Sequence, residues 1–417
     1  MSPRLGPDVL AELDGMLAGA DADLARLYPG DAGTRQPVHT VYVPADRIAD
    51  DTAPAWGAAA LDALRVHGTG ALADVAGSSA DLVAEVEPLV RRKLTREPIE
   101  DLRIDFEDGL GALRDSDEDD LALAAARAVA AASAAGQCPP FVGIRFKSLE
   151  AATRARAVRT LDLFLGGLLA AGSLPDGLVL TLPKVTSVAQ VQAMDRLCER
   201  LEAEFDLPAG RLRFEVQIES PQAILGPDGT ATVTRIAHAA PARLAGLHYG
   251  TYDYSAACGV AAAYQSLDHP AADHAKAVMQ VAVAGTGVRL SDGSTNVLPV
   301  GDTLAVRSAW ALHARLVRRS LERGFYQGWD LHPAQLPTRY LATYLFFRSG
   351  LAAAASRLVS YAERASSGVL DEPATARALS GYLRRGLDCG AFGEEELARY
   401  GLDRSTLADH AGPAAPR

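Results

Sequence analysis

The segment LRIDFEDGLG, residues 102–111, is a short apolar run that ends in three carboxylates within four positions. Comparable runs recur along the chain, and Ala- and Leu-rich stretches of helical character separate them. The runs are Val38–Val43, Leu102–Phe106, Phe141–Phe146, Gly177–Leu182, Arg213–Ile218, Leu244–Tyr249, Thr286–Leu290 and Gly324–Leu331. Strands that alternate with helices predict a parallel sheet, and eight repeats favour a closed (βα)8 TIM barrel over an open sheet.

The regions outside this repeat divide the chain into three predicted parts. Residues 1–37 form an N-terminal helical extension, with a short amphipathic helix at Asp8–Leu17. Residues 38–337 form the barrel, which carries a mostly helical insert at about 50–100 after its first strand. Residues 338–417 lack strand patterns and are predicted to be helical, with breaks at Gly368, Pro373 and Gly386.

The composition excludes several classes of partner. The chain has 417 residues, with 41 Lys and Arg against 52 Asp and Glu and a formal net charge of −11. Such a balance argues against nucleic acid or an anionic membrane as the main partner. The longest apolar run, Leu163–Leu174, is too short to cross a bilayer. Four widely spaced cysteines predict reduced thiols, and we expect a soluble cytoplasmic protein.

Polar residues follow most of the predicted strands. They are Glu107 and Asp108 after the second strand, Arg145 and Lys147 at the third, Lys184 after the fourth, Glu219 after the fifth, Asp253 after the sixth, and His332 and Pro333 after the eighth. In a βα barrel the active site lies at the C-terminal ends of the strands. These side chains are therefore expected to gather at one rim.

The residue types at this rim suggest a site for a hard divalent cation. Glu219 and Asp253 come from neighbouring strands, and Mg²⁺ prefers one or two protein carboxylates with water and substrate oxygens in its other positions. Glu107 and Asp108 would then accept hydrogen bonds from metal-bound waters. Arg145 has the planar guanidinium that grips a substrate carboxylate in two places.

Seven motifs occur in an order typical of one superfamily. They are IDFEDGLG (104–111), VGIRF (142–146), LTLPKV (180–185), FEVQIESPQAIL (214–225), LHYGTYDYSAACG (247–259), GWDLHPAQ (328–335) and GVLDEPATARAL (368–379). Together they resemble the citrate lyase β-subunit-like and malyl-CoA lyase group of the HpcH/HpaI aldolase and citrate lyase family. The resemblance spans about residues 38–380.

This resemblance implies a barrel that binds Mg²⁺, or Mn²⁺ in its place, and makes or breaks a carbon–carbon bond beside a carbonyl. Glu219 and Asp253 match the metal ligands, and Arg145 matches the arginine that holds a substrate oxygen. Asp371 matches an acid/base that a C-terminal lid presents to a neighbouring subunit. A homotrimer or homohexamer is therefore expected.

The resemblance gives the remaining rim residues less definite roles. Glu107 and Asp108 match the acidic pair beside the metal, and His332 and Pro333 are assigned to the surroundings of the cofactor as a turn that shapes a loop. Lys184 either contributes positive charge during catalysis or serves as an ion-pair partner.

The substrate stays open because the chain departs from the group in several segments, among them residues 105–109 and 145–147. The group commonly has Asp-Leu-Glu-Asp-Ala and Arg-Ile-Asn, where this chain has residues 105–109 as DFEDG and residues 145–147 as RFK. A hydroxyacyl-CoA thioester, another thioester and a free 2-oxo or hydroxy acid all remain candidates. A class II pyruvate-type aldolase without CoA and a non-catalytic barrel that binds acyl metabolites are the alternative functions.

Overall fold

Eight parallel strands form a closed barrel in the computed structural model, which describes residues 5–68, 70–362 and 372–411. The strands are β1 His39–Pro44, β2 Asp101–Asp105, β3 Phe141–Arg145, β4 Val179–Leu182, β5 Arg213–Ile218, β6 Leu244–Tyr249, β7 Arg289–Ser291 and β8 Gly328–Asp330. Each strand pairs with its sequence neighbour, and β8 pairs with β1. A parallel bridge between Ser291 and Gln327 joins the two ends of the sheet. The predicted (βα)8 barrel is confirmed.

Helices connect the strands and extend the barrel at both ends of the chain. Within the described residues they are α1 Pro7–Leu27, α2 Thr52–His67, α3 Gly70–Val75, α4 Ala80–Arg96, α5 Asp115–Ala134, α6 Arg154–Ala171, α7 Val188–Glu204, α8 Pro221–Ile224, α9 Thr232–Ala237, α10 Thr251–Ala257, α11 Pro270–Val283, α12 Thr303–Glu322, α13 Leu336–Ala362, α14 Pro373–Cys389, α15 Glu394–Ala398 and α16 Arg404–Ala411. The insert after β1 therefore consists of α2, α3 and α4. None of the helices in the described ranges is both long and apolar enough to cross a membrane.

Several elements differ from the sequence prediction, among them β7, β8 and α1. The strands β7 and β8 are shorter than expected, because residues on the N-terminal side of each turn the chain: Gly287 has φ +79° and Gly324 has φ +83°. The helix α1 is longer than Asp8–Leu17, since alanine and leucine continue through its second half. It has no buried residue.

The interior of the barrel is polar. In β2, the apolar side chains of Leu102 and Ile104 alternate with charged ones, and all are buried. Arg103 reaches across the interior to Glu215 of β5, with Nε donating to Oε1 at 3.1 Å. A buried cation that spans the barrel in this way is stabilised because its hydrogen bonds replace those it made with water.

The C-terminal helices pack onto the barrel beside the insert. The helix α13 begins at Leu336 and contacts α12, α4 and α14. The carboxylate of Asp330, at the end of β8, joins the barrel to these helices: it contacts His313 of α12 and Arg339 of α13. The expected boundary at 337/338 falls inside α13, and the division into three parts stays a proposal.

Candidate active site

A cleft of about 620 Å³ opens at the C-terminal ends of the strands. It is lined by Glu107, Asp108, Gly111, Ala112, Lys147, Ser148, Glu150, Thr153, Lys184, Thr186, Glu219, Ser220, Asp253 and Ala257. The structure thus brings together five of the site residues expected from the sequence. Clefts of about 300–1,000 Å³ are typical of small-molecule sites.

Lys184 lies at the centre of this cleft. Its ammonium nitrogen is 3.0 Å from Asp108 Oδ2, 3.7 Å from Glu107 Oε1 and 3.9 Å from Glu219 Oε2. The same nitrogen donates a hydrogen bond to Asp253 Oδ2. Four carboxylates, from two strand ends and one short helix, therefore converge on a single cation.

The backbone of Lys184 is also tied to the site. It has φ +53°, a conformation that is uncommon for a residue with a side chain. Its N–H donates to Glu219 Oε1 at 2.6 Å, so the same turn holds one carboxylate and aims the lysine at the others. Strain of this kind persists only where the surrounding contacts stabilise it, and it occurs often at functional sites.

The carboxylates outnumber the cation, and their pKa values reflect the excess. Burial, helped by the negative charge of Asp108, raises the pKa of Glu107 to about 8. Burial likewise raises the pKa of Glu219 to about 7, although Lys184 opposes the shift. Burial alone would lower the pKa of Lys184, but the surrounding carboxylates raise it, so the lysine stays charged.

Gly250 permits the close approach of β6 to Glu219. A Cβ at position 250 would collide with the Cβ of Glu219. Gly250 directly follows β6 and directly precedes α10, whose first turn carries Asp253. The absence of a side chain at this position therefore sets the spacing of the two proposed metal ligands.

Arg145 lies beside the cleft and is held by Asp105. Its Nε and Nη2 donate to the two oxygens of the Asp105 carboxylate at 2.7 and 2.6 Å. The guanidinium stacks on the ring of Tyr42 at 4.8 Å, and Nη1 is 3.4 Å from Glu107 Oε2. Arg145 is therefore fixed in orientation, with its Nη1 end directed towards the acidic residues.

Asp105 and Tyr42 are supporting residues that the sequence reasoning did not assign. Besides binding Arg145, Asp105 accepts hydrogen bonds from the N–H groups of Glu107 and Gly109. The sequence contains one pattern that could have indicated Asp105: Asp101, Arg103 and Asp105 alternate with apolar residues in β2 and therefore share one face of the strand. No comparable signal marks Tyr42, because its role depends on a contact between strands.

Two of the expected site residues lie apart from the cluster. His332 and Pro333 form a turn after β8, in which His332 Nδ1 accepts the N–H of Ala334 at 3.2 Å. They are not among the residues that line the cleft, and their link to a cofactor stays a prediction. Asp371 lies outside the described residues.

The donor set suits a hard divalent cation in chemistry and charge. In the described parts of the chain, no three His, Cys, Asp or Glu side chains already stand in a metal-binding arrangement. The ammonium of Lys184 lies where the carboxylates converge. Glu219 and Asp253 both contact this ammonium, and two carboxylates are the number that Mg²⁺ usually takes from a protein. The residues fit such an ion if Lys184 moves aside.

Fold and site together define a βα-barrel protein whose cleft holds strand-end carboxylates around a lysine. The chain belongs to the family DUF6986, a domain of unknown function, whose model matches residues 17–414. A search of curated proteins finds no match.

Solved structures share the barrel. A citrate lyase from Burkholderia xenovorans LB400 aligns with a TM-score of 0.57 and 19% identity, covering 90% of this chain and 98% of that one. This alignment confirms, at the level of the fold, the resemblance to the citrate lyase and HpcH/HpaI aldolase group. A malate synthase from Haloferax volcanii aligns with a TM-score of 0.49 and 16% sequence identity, over 90% of this chain and 97% of that one. An HpcH/HpaI aldolase/citrate lyase family protein from Burkholderia cenocepacia J2315 has a TM-score of 0.40 and 19% sequence identity, over 79% of this chain and 98% of that one.

Proposed function

We propose that this protein is a carbon–carbon lyase, or the reverse synthase, that depends on Mg²⁺ and acts beside a carbonyl group. The observation that carries the proposal is the convergence of Glu107, Asp108, Glu219 and Asp253 on one ammonium. Lys184, with Arg145 beside Glu107, balances only part of the negative charge that the four carboxylates carry when ionised, and a divalent cation would balance the rest. Glu219 and Asp253 are the proposed ligands, and Mn²⁺ is the expected substitute.

Cleavage beside a carbonyl leaves negative charge on an oxygen, and the bound cation would stabilise that charge as a Lewis acid. Arg145 is proposed to hold a carboxylate or carbonyl oxygen of the substrate through its Nη1 end, since Asp105 occupies the other side of its guanidinium. Because its orientation is fixed beforehand, little freedom is lost when the substrate binds.

Two further groups are proposed to handle charge and protons. Glu107 has a pKa of about 8, which suits proton exchange near neutral pH. Lys184 keeps its proton and would turn from Asp253 towards the substrate when the cation binds. By resemblance alone, Asp371 is the proposed acid/base, presented from a neighbouring subunit of a homo-oligomer.

The proposed substrate is a hydroxyacyl-CoA thioester or a related hydroxy or oxo acid. The cleft has a size that suits a small acyl group. Its lining includes Ser148, Thr153 and Lys147, whose hydroxyl and ammonium groups donate to Glu150, to the carbonyl of Ser148 and to Glu118. These residues give the cleft a polar wall that suits an acid or a thioester. They do not distinguish a CoA carrier from a free acid, so the assay must use both.

The test measures cleavage and condensation with paired CoA-thioester and free-acid substrates, with and without Mg²⁺. We expect Mg²⁺-dependent turnover in the wild type and its loss in Asp253→Asn. Asp120→Asn, on the exposed face of α5, is the matched control and should keep full activity. Mg²⁺ binding measured by calorimetry should be weakened only in Asp253→Asn.

The same assay separates the alternative functions. Turnover on free oxo acids that survives Asp371→Asn would indicate a pyruvate-type aldolase. Saturable binding of substrates without turnover across the whole panel would indicate a non-catalytic barrel. Equal activity of Asp253→Asn and Asp120→Asn would contradict the metal site.

A further inference from the structure

The opposite end of the barrel carries a second cavity, of about 200 Å³. It lies where β7 and β8 begin, between the connector that follows α1 and the last turns of α14. The connector is held there by a hydrogen bond from Gly30 N–H to the carbonyl of Gly285 at 2.7 Å. An adjoining cavity of about 140 Å³ shares Asp31 and Arg289 and adds Arg213.

Five arginines line these two cavities: Arg103, Arg213, Arg289, Arg384 and Arg385. Asp31 forms ion pairs with two of them, Arg384 and Arg385. The other acidic side chain of the larger cavity, Asp388, is bound by Arg404 at 2.8 Å. The deeper Asp101 and Glu215 are bound by Arg103.

Several donors of these arginines lack an anionic partner. The side chain of Arg213, an exposed residue, makes no hydrogen bond or ion pair with the described part of the chain. Arg289 donates through Nη2 to the carbonyl of Thr34 at 2.9 Å and to its hydroxyl, both neutral acceptors. Arg384 Nε is buried and donates to none of the described residues. The guanidinium of Arg385 stacks on the ring of Tyr326, 4.4 Å from its centroid, and its Nη2 lies 3.4 Å from Asp31 Oδ2.

The pKa of Arg289 shows that this arrangement disfavours the charged form of its guanidinium. Burial, together with the positive charges of Arg213, Arg385 and Arg384, lowers its pKa to about 10. Asp31 responds in the opposite sense: burial would raise its pKa, but the N–H of Gly33 and the cations Arg384 and Arg385 lower it. Like charges gathered in a partly buried cavity repel one another, and a bound anion would relieve that repulsion.

We propose that this cavity is a binding site for a small oxyanion with two or more negative charges. Guanidinium groups bind carboxylate and phosphate oxygens in pairs of hydrogen bonds, and four of them around one carboxylate leave a positive excess. The volume is below the range of about 300–1,000 Å³ typical of larger ligands, so a small metabolite fits better than a nucleotide. Phosphate and di- or tricarboxylate groups share this chemistry.

The site is distinct from the cleft in position and in charge. The cleft is lined by the loops after the strands and is acidic, whereas this cavity is lined by residues at the start of the strands and is basic. The ligand would lie between the connector after α1 and the helix α14, because Asp31 and Arg385, which line the cavity, come from these two segments. The inference does not depend on the reaction proposed for the cleft.

The test is calorimetric titration of the full chain with pyrophosphate and, separately, with citrate. No divalent metal is present, so that the acidic cleft repels both probes, and chloride keeps the ionic strength constant. We expect saturable binding to the wild type. Arg385→Gln and Arg213→Gln should each weaken binding roughly tenfold, because each removes a charge-assisted donor. The matched control is Arg65→Gln, whose arginine is exposed on α2 beside Asp62.

The outcomes separate the source of the ligand from the existence of the site. Binding of pyrophosphate alone indicates a phosphate ligand, binding of citrate alone a carboxylate ligand, and binding of both a general oxyanion site. Absence of saturable binding overturns the proposal. Equal affinities of the Arg213→Gln, Arg385→Gln and Arg65→Gln variants overturn it as well, and Arg213→Gln keeps the test valid if Arg385→Gln fails to fold.

Discussion

Lys184 and the four carboxylates around it raise the question of how one lysine and a divalent cation share a site. An ammonium and a metal ion compete for the same oxygens, and the lysine is tethered and therefore always present. Binding of the proposed cation would displace the hydrogen bond from Lys184 to Asp253. The measured affinity for the metal will be the intrinsic affinity reduced by the cost of that displacement.

Replacement of Lys184 by methionine tests this competition. We expect Lys184→Met to bind Mg²⁺ roughly tenfold more tightly, because the positive charge that opposes the ion is removed. Calorimetric titration with Mg²⁺ measures the change. Lys147→Met is the control, since Lys147 lines the cleft but pairs with Glu118 at 2.9 Å. An unchanged or weaker affinity in Lys184→Met would show that the lysine does not occupy the cation's position.

The raised pKa values of the site predict how stability depends on pH. Glu107 and Glu219 titrate at about 8 and about 7, above the value of about 4.3 for glutamate in an unfolded chain. Between these values the folded protein keeps protons that the unfolded chain has lost. The contribution of the two groups to the free energy of unfolding therefore falls as the pH rises from about 4.5 to about 8.

Thermal unfolding of metal-free protein across this range measures the effect. We expect Glu219→Gln to lose less stability than the wild type as the pH rises, because one of the two titrating groups is gone. Glu204→Gln, at an exposed position of α7, should follow the wild type. Parallel curves for all three proteins would mean that Glu219 titrates normally.

At the scale of elements, the loop after β2 is fastened to the end of β3. Asp105 accepts two hydrogen bonds from Arg145 of β3 and two from the backbone of its own loop. All four are buried or partly buried, so this carboxylate supports the loop that carries Glu107 and Asp108, together with Lys147, which donates to the carbonyl of Phe106. Loss of that carboxylate leaves a buried guanidinium without its main partner.

Substitution of Asp105 by asparagine should therefore destabilise the protein by about 3 kcal/mol in urea unfolding. The chain offers a matched control in Asp117→Asn, because Asp117 also binds an arginine through both oxygens, at 2.8 Å each, but on the surface. Surface ion pairs contribute little, so this second change should leave the midpoint almost unaltered. Similar losses for the two variants would contradict the role of burial.

The sequence predicts elements well where a local pattern determines them. The strands β5 and β6 begin and end where expected, because apolar runs at Arg213–Ile218 and Leu244–Tyr249 are bounded by turn residues. Five of the cleft residues were predictable because each lies within four positions of the end of a strand. Their arrangement was not: the sequence left open whether Lys184 is a catalytic cation or an ion-pair partner, and only side-chain geometry shows it among four carboxylates.

At the scale of the whole molecule, the two ends of the barrel carry opposite charge. The net charge of −11 hides this division, since it averages an acidic cleft and a cluster of arginines. The arginine cluster could not be predicted, because Asp31, Arg213, Arg289 and Arg385 are far apart in sequence and no local period links them. Closure of the barrel and the return of α14 to the connector bring them together.

Assembly decides whether one chain contains a complete site. The proposed base Asp371 is expected to serve a neighbouring subunit, whereas Glu219 and Asp253 belong to the cleft of their own barrel. Two inactive variants, Asp253→Asn and Asp371→Asn, would then carry complementary defects. A mixed oligomer contains sites in which an intact cleft of one subunit faces an intact Asp371 of the next.

Mixing the two variants after partial unfolding and reassembly tests this arrangement. In a ring of subunits combined at random in equal amounts, roughly a quarter of the sites would hold both intact parts, and that fraction of wild-type activity should return. Each variant treated alone is the control and should stay inactive. The contrary result is that mass measurements show mixed oligomers but activity does not return. That result would place Asp371 in the site of its own chain or outside the reaction, because exchange of subunits would then supply nothing that a single chain lacks.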